Sequence, residues 1–294
     1  MAAIEAPLNL RGNKRLRRRQ LVNRLAELIA TLAALAAIAV LVAVIWAVAK
    51  RGASELSWSF LTEDLPIFGL PGGGIAPLLV GSAIIVGIAT AIALPIGVLT
   101  ALFLSEFSPR RVAPAIQLAL DLMNGLPSVI IGIFVFGLLV DGHTQSGYAG
   151  GFALSIVMMP LIARSTQEVL RLVPSAQREG ALALGASRWR TVLGIVLPSA
   201  FGGILTGTVL AIARAAGETA PLLFTTSIFA NQISTDPRHA LPNIPVQIFI
   251  WSESPDPEDH ARAWASALVL MLFVLVTSLI ARALYVRSRR KMTR

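Results

Sequence analysis

The chain contains no cysteine, which excludes disulfides and thiolate metal sites and leaves the redox compartment open. Lysine is nearly as scarce. Lys14, Lys50 and Lys291 are the only three and none follows a glycine. A G-x-x-x-x-G-K-[ST] phosphate loop is therefore impossible, and any ATP-driven work requires another polypeptide. His143, His239 and His260 lie far apart without an H-E-x-x-H spacing, and read as solvated loop residues rather than metal ligands. There is no G-x-S-x-G elbow and no pair of intramembrane carboxylates, so nothing marks the chain as an enzyme by itself. No internal repeat is evident, which gives no support to an inverted-repeat secondary transporter. Charge of both signs is sparse at 14% of residues, too little to clothe a water-facing surface.

Apolar sequence is what the chain has in abundance. A hydrophobic fraction of 55% and a mean hydropathy of +0.73 place it in the all-α membrane class. The net charge of +9 does not point to nucleic acid, because the basic residues crowd the two ends. Arg11, Lys14, Arg15, Arg17, Arg18, Arg19 and Arg24 crowd the N-terminal end, and Arg282, Arg287, Arg289, Arg290, Lys291 and Arg294 the C-terminal end. Such tails read as cytoplasmic anchors that also touch anionic membrane lipid. Six runs reach the ~20 residues a spanning helix needs: Leu28–Val48, Ala76–Phe103, Ala115–Val140, Phe152–Leu170, Phe201–Phe229 and Trp264–Tyr285. The first exceeds the ~7–15 apolar residues of a signal peptide and is read as an uncleaved helix.

Six spans put both termini on the cytoplasmic side, and the connectors alternate to match. Ser105–Pro114 and Arg171–Pro198 carry arginines and fall inside; Asp141–Gly151 and Asn231–His260 are acidic or neutral and fall outside. Lys50 and Arg51 sit on the wrong side of the first span, outweighed by the N-terminal cluster. The expected organisation is a basic tail over 1–27, a six-helix membrane domain over 28–284 and a second basic tail over 285–294. Pro71-Gly72-Gly73-Gly74 reads as an irregular turn before the second span. Pro95, Pro127 and Pro160 fall inside spans, where each is expected to kink or unwind its helix.

The most distinctive stretch is Glu179–Pro198, EGALALGASRWRTVLGIVLP. A polar-then-apolar helix-turn-helix on the cytoplasmic side of a membrane protein points to a docking partner. The spacing of Glu179, Ala181, Gly185, Ile195, Leu197 and Pro198 resembles the EAA loop of type I ABC importer permeases, which receives force from an ATPase subunit. Gly180 departs from that pattern, replacing the usual second alanine and weakening helix propensity. Ala186 and Ser187 fall at the turn, where Gly185 is expected to supply a positive φ or a close approach. The docking loop is placed at 172–198.

Arg214 and Glu218 stand in the expected middle of the fifth span, in AIARAAGETAPLLF. A charge at the membrane centre costs about 3 kcal/mol on insertion scales, so such residues face a cavity or one another. Two readings stay open: an internal ion pair holding helices together, or a translocation-path site in which Arg214 faces an anion and Glu218 balances or gates it. Arginine suits phosphate because its planar fork stays charged and bonds two oxygens at once. Thr219, with Gly217 and Pro221, allows close backbone approach and local unwinding. LAIARAAGETAPLLFT, with GGGIAPLLVGSAIIV, NGLPSVIIGIFVF, RSTQEVLRLVPSAQREGALALGAS and LPNIPVQIF, is similar to one permease subunit of the phosphate-specific ABC importers. That resemblance implies the type I permease fold in the cytoplasmic membrane of a prokaryote. It also implies a heterodimer with a homologous second permease, two ATPase subunits that bind ATP and Mg, and an extracytoplasmic phosphate-binding protein. It sets Arg214 and Glu218 on functional charged positions.

Arg164, with Thr166 and Glu168, closes the fourth span and reads either as a gate in the substrate path or as a snorkelling interface residue. Asp121 reads as structural. The loop Pro242–Glu258, with Trp251 and several acids, reads equally as a docking surface or as solvated. The expected function is uptake of inorganic phosphate by an ATP-driven importer. Alternatives are another oxyanion such as phosphonate or sulfate, or a channel or scaffold with no need of an ATPase-docking loop.

Overall fold

A computed structural model describes residues 14–66, 72–226 and 233–292 of the chain. Residues 1–13 of the first basic tail, Pro71, residues 227–229 of the fifth expected span, and the last two residues of the second tail lie outside the described residues. The structure is helical and divides into two compact units, residues 1–50 and 51–294. The first unit is occupied by α1 (Lys14–Gly52). From Arg18 onward α1 is long and apolar enough to cross a membrane. Its leucines and valines are exposed on all sides, from Leu21 to Val44, as suits a helix solvated by hydrocarbon.

In the second unit, α2 (Trp58–Thr62) is capped by Ser57, whose hydroxyl accepts from the Phe60 amide at 3.1 Å. Gly72 and Gly73 then turn the chain with φ of +93° and +88°, and α3 (Ala76–Leu102) follows, ending in a π-helical turn, Phe103–Phe107. α4 (Ala113–Gly125) and α5 (Ser128–Val135), with a second π-turn over Phe136–Val140, make up the third expected span. α6 (Gly147–Arg171) precedes two short helices, α7 (Ser175–Ala183) and α8 (Arg188–Thr191). A third π-turn, Val192–Val196, leads into α9 (Leu197–Ala215) and then α10 (Ala220–Thr225). α11 (Ile244–Ser252) and α12 (Pro257–Met292) close the chain.

α6 is the central pillar. Ile85, Ala89 and Ala93 of α3 pack with Leu154, Met158 and Ile162 of α6 and with Ala211 and Ala215 of α9. Small residues set the spacing: a Cβ on Gly203 would lie 2.5 Å from Val169, and one on Gly207 would lie 2.3 Å from the Ser165 hydroxyl, so the backbones approach as membrane helices do. The same contacts fix direction. Gly97 faces Ile162 and Gly151 faces Ile88, making α3 and α6 parallel, whereas Gly203–Val169 and Gly207–Ser165 make α9 antiparallel to α6. Two parallel helices separated by one segment require that segment to return across the bundle.

That segment is broken at Pro127, in keeping with the kink or unwinding expected there. α4 and α5 meet at 97°. Leu126 precedes Pro127, and this pushes it to an extended ψ of 132°. The fifth span is broken likewise: its helix stops at Ala215 and resumes at Ala220, at the Gly217–Pro221 stretch read as allowing local unwinding. Pro95 and Pro160 do not unwind their helices, which run through them; Pro160 is buried within the packed face of α6, whereas Pro95 is exposed on α3. The stretch Ile244–Ser252, read as loop, is a helix, and Trp251 is buried against Phe60 and Ile75 rather than offered to a partner.

Asn243 anchors this last region. It is 2% exposed; its side-chain oxygen caps α11 by accepting from the Val246 amide at 3.1 Å, and its amide donates to the Thr226 carbonyl at 3.2 Å. Asn243→Ala removes the cap and strands that carbonyl, and should destabilise the chain by about 1–3 kcal/mol. A thermal melt in detergent reads this as a lowered midpoint; an unchanged midpoint would refute the anchoring role.

Candidate functional site

Two regions carry the candidate residues. The first is the break between α9 and α10. Gly217 donates to the Arg214 carbonyl and Glu218 to the Ala215 carbonyl, each at 3.1 Å. The last turn thus tightens to i→i+3 bonds before Pro221, which has no N–H to continue the ladder. Arg214 stands in the last turn of α9 and Glu218 beyond its end, not in the middle of a continuous span. They still face each other, Arg214 Nε to Glu218 Oε1, at 3.9 Å. Thr219 opens α10 without a side-chain cap bond, so the structure brings Arg214, Glu218 and Thr219 to one notch.

The quality of that contact matters. Four arginines among the described residues face a carboxylate. Arg178 donates four hydrogen bonds, Arg262 bonds Glu258, Asp259 and the Gly72 carbonyl, and Arg164 bonds Asp121, Gln167 and the Gln117 carbonyl. Arg214 has only the 3.9 Å approach, beyond hydrogen-bond range. Its side chain is 60% exposed and that of Glu218 is 20% exposed. The guanidinium is balanced electrostatically, and its donors remain unspent.

Arg164 is not part of that notch. Ser165 is level with Gly207 across α6 and α9, so Arg214 lies about seven residues further along the pair, on the order of 10 Å at 1.5 Å per residue. Arg164 ties α6 to α4 through Asp121, which gives Asp121 the structural place expected of it.

The second region is the α7–turn–α8 hairpin. Pro174 precedes α7, and Gly185 ends it with a φ of +83° and open space where a Cβ would stand. The Gly185 and Ala186 amides bond back to the carbonyls of Leu182 and Ala181, the left-handed helix end that glycine allows. Ser187 caps α8. Glu179 and Gly180 are exposed, Ala181 is buried, Ile195 and Leu197 are half-buried and Pro198 is exposed. Leu182, Leu184, Trp189 and Leu193 are exposed, Leu184 to 91%. A hairpin this apolar at its tip is a surface made to be covered.

Sequence reading missed one feature here. Arg178, counted only as a topological charge, grips Glu106 at the end of α3, and Trp189 stacks on Phe107 with ring centroids 4.5 Å apart. Beside them is a polar cleft of about 410 Å³ whose wall includes Ser105, Gln117, Gln167 and Arg171. An acid closing an otherwise apolar span was the available signal.

Residues 93–294 match the family described as "binding-protein-dependent transport system inner membrane component". The phosphate transport system permease protein PstA of Yersinia pestis is 36% identical over 282 residues, 95% of each chain. The chain is a binding-protein-dependent permease of the PstA family. PstA of Haemophilus influenzae is 38% identical, covering 82% of this chain and 86% of that one. A probable PstA of Methanocaldococcus jannaschii is 34% identical, covering 79% and 82%. In fold, the chain resembles a chain of the MetNI methionine ABC transporter in inward-facing conformations, with a TM-score of 0.54 at 17% identity over 72% of this chain and 94% of that one. It also resembles a chain of a bacterial alginate ABC transporter complexed with its periplasmic protein, with a TM-score of 0.53 at 16% identity over 92% and 97%. The type I importer permease fold and a multi-pass inner-membrane location follow for this PstA-family chain.

The loose Arg214–Glu218 contact makes a stability prediction for the permease. Arg214→Gln, in the chain purified alone in detergent, should cost less than about 1 kcal/mol, as for an exposed pair. A tight buried pair would cost about 3–5 kcal/mol. A large fall in melting midpoint would return the pair to a packing role.

Proposed function

We propose that this chain is a permease subunit of an ATP-driven importer of inorganic phosphate. The full-length identity to PstA proteins carries the substrate assignment, and Arg214 is the residue the chain offers for it. In this reading the chain pairs with a homologous second permease. Two ATPase subunits bind ATP and Mg²⁺ and dock on the α7–α8 hairpin through Glu179, Gly185 and the exposed Leu182 and Leu184, with Ala181 buried beneath them. An extracytoplasmic binding protein delivers phosphate, and both termini face the cytoplasm.

Phosphate reaching the notch exchanges its water for the guanidinium fork, which bonds two oxygens in one plane. Glu218 keeps the empty notch near neutrality and repels an anion that lingers, so binding stays weak enough to release. Thr219 supplies a hydroxyl beside them. Vesicles carrying the full complex should lose phosphate uptake with Arg214→Gln while retaining the assembled permease, and the double Arg214→Gln, Glu218→Gln variant should stay inactive. Restored uptake in the double variant would show that the charges serve packing alone. Wild-type uptake competed by sulfate or methylphosphonate more strongly than by phosphate would reassign the substrate.

Gly185→Val meets no steric clash but forces a β-branched residue to positive φ, at about 1–3 kcal/mol confined to the turn. The permease should insert and melt normally while uptake-linked ATP hydrolysis falls; unchanged hydrolysis would remove the docking assignment. For orientation, the absence of native cysteine gives a clean background. Cysteines placed singly at Ser146, Ser234 and Ser254 should react with an impermeant maleimide from outside sealed cells, and one at Ser187 should not. Outside labelling at Ser187 would invert or break the six-span map.

A further inference from the structure

The docking hairpin is held by more than its two chain ends. Arg178 of α7 donates to Glu106 Oε1 from Nε and Nη2, at 3.1 and 2.9 Å, and to the carbonyls of Val173 and Leu170, at 2.7 and 2.8 Å. One side chain thus joins the hairpin, the C-terminal end of α6 and the end of α3. The Glu106 side chain is only 12% exposed.

Its placement is a product of register. α3 buries every fourth residue: Gly81, Ile85, Ala89, Ala93, Gly97 and Ala101. Continued, that row would turn Ser105 inward. The π-turn over Phe103–Phe107 inserts one extra residue into the turn, so Ser105 is exposed while Glu106 and Phe107 face the hairpin. Such single π-turns are rare and cluster at functional sites. Trp189 of α8 stacks on Phe107, so both halves of the hairpin touch the re-aimed turn.

We propose that the Arg178–Glu106 ion pair, backed by the Trp189–Phe107 stack, is a coupling clasp that passes displacement of the docking hairpin to α3. The inference rests on the ATPase-docking reading above. The chain runs from α6 into the hairpin and from α8 into α9, so both of those helices receive its motion covalently. α3 has no such connection, and the clasp supplies one. A partly buried, forked, charge-assisted pair is directional enough to carry load. The cleft beside it leaves room to shift. Arg178 and Glu106 are positioning residues; neither meets the transported ion.

The test uses the complete complex in vesicles, with ATPase subunits, binding protein and phosphate. Glu106→Gln keeps the shape and removes the charge. ATPase subunits should stay bound and ATP should still be hydrolysed. Phosphate moved per ATP should fall about tenfold, within the ordinary span of allosteric couplings. Stimulation of hydrolysis by phosphate-loaded binding protein should fall with it. An unchanged ratio overturns the clasp. Glu106→Cys with Arg178→Cys should uncouple in the same way and regain coupling when bridged by a short bismaleimide. A bridged form no better than the unbridged one also overturns it, and this arm decides if Glu106→Gln fails to assemble. Wild-type vesicles that take up no phosphate would count against the transport reading instead, leaving the clasp to be judged on binding-protein-stimulated hydrolysis.

Discussion

Backbone polar groups at membrane depth have no water to bond, and that constraint governs this permease. Among the described residues the chain leaves helical conformation inside its spans at Leu126–Pro127 and at Ala216–Thr219, and the segments after those breaks pack on each other. A Cβ on Gly132 would lie 2.8 Å from the Pro221 Cα, so α5 and α10 pack backbone to backbone. The Gln145 amide donates to the Phe224 carbonyl, and the Ser146 N–H to that of Thr225. The Thr226 hydroxyl both donates to the Leu241 carbonyl and accepts from its amide. These bonds make the broken helices tolerable. At the end of α9 itself, the Gly217 and Glu218 amides close the last turn on the Arg214 and Ala215 carbonyls, which sets Arg214 at a helix end.

Much of the architecture was legible because hydropathy and charge act along the whole chain. Six apolar runs do not depend on tertiary detail. The interruptions were harder. Proline alone does not decide them: Pro127 ends a helix while Pro95 and Pro160 ride within theirs. Beside Pro95, α3 is held by packing such as Gly97 against Ile162, more than sixty residues away. The same limit hid α11, where a Pro-Asn-Ile-Pro stretch reads as loop until Asn243 is seen as its cap. In the candidate site, the glycine at the hairpin tip was readable from spacing, since a helix end needs its positive φ. The Arg178–Glu106 pair was not, because the π-turn that re-aims Glu106 leaves no periodic trace in an apolar run.

The hairpin combines an apolar tip with a polar root. Leu182 and Leu184 are exposed for a partner to cover, while Arg178 is consumed by bonds to α3 and α6. A docking element tethered only by its chain ends could move without moving the bundle. One welded throughout could not respond at all. The clasp lies between these extremes, with side-chain exposures of 23% and 12% for Arg178 and Glu106, wet enough for the pair to re-form after displacement and dry enough for it to direct force.

The contrast between Arg178 and Arg214 states the chemistry of the chain most directly. Both are arginines beside a glutamate, and they are opposite in kind. Arg178 has its donors spent on a carboxylate and two carbonyls, so no anion can compete for them. Arg214 stands in the last turn of α9, where the negative end of the helix dipole and Glu218 favour its charge from a distance. Neither takes a hydrogen bond from it. Electrostatic support without occupied donors is what an arginine needs if it is to meet a transported oxyanion and let it go. Glu218 at 2.8 Å would close the fork; no counter-charge at all would leave an uncompensated cation beside hydrocarbon. At 3.9 Å the pair holds the intermediate arrangement, Arg214 in the last turn of α9 and Glu218 beyond its end.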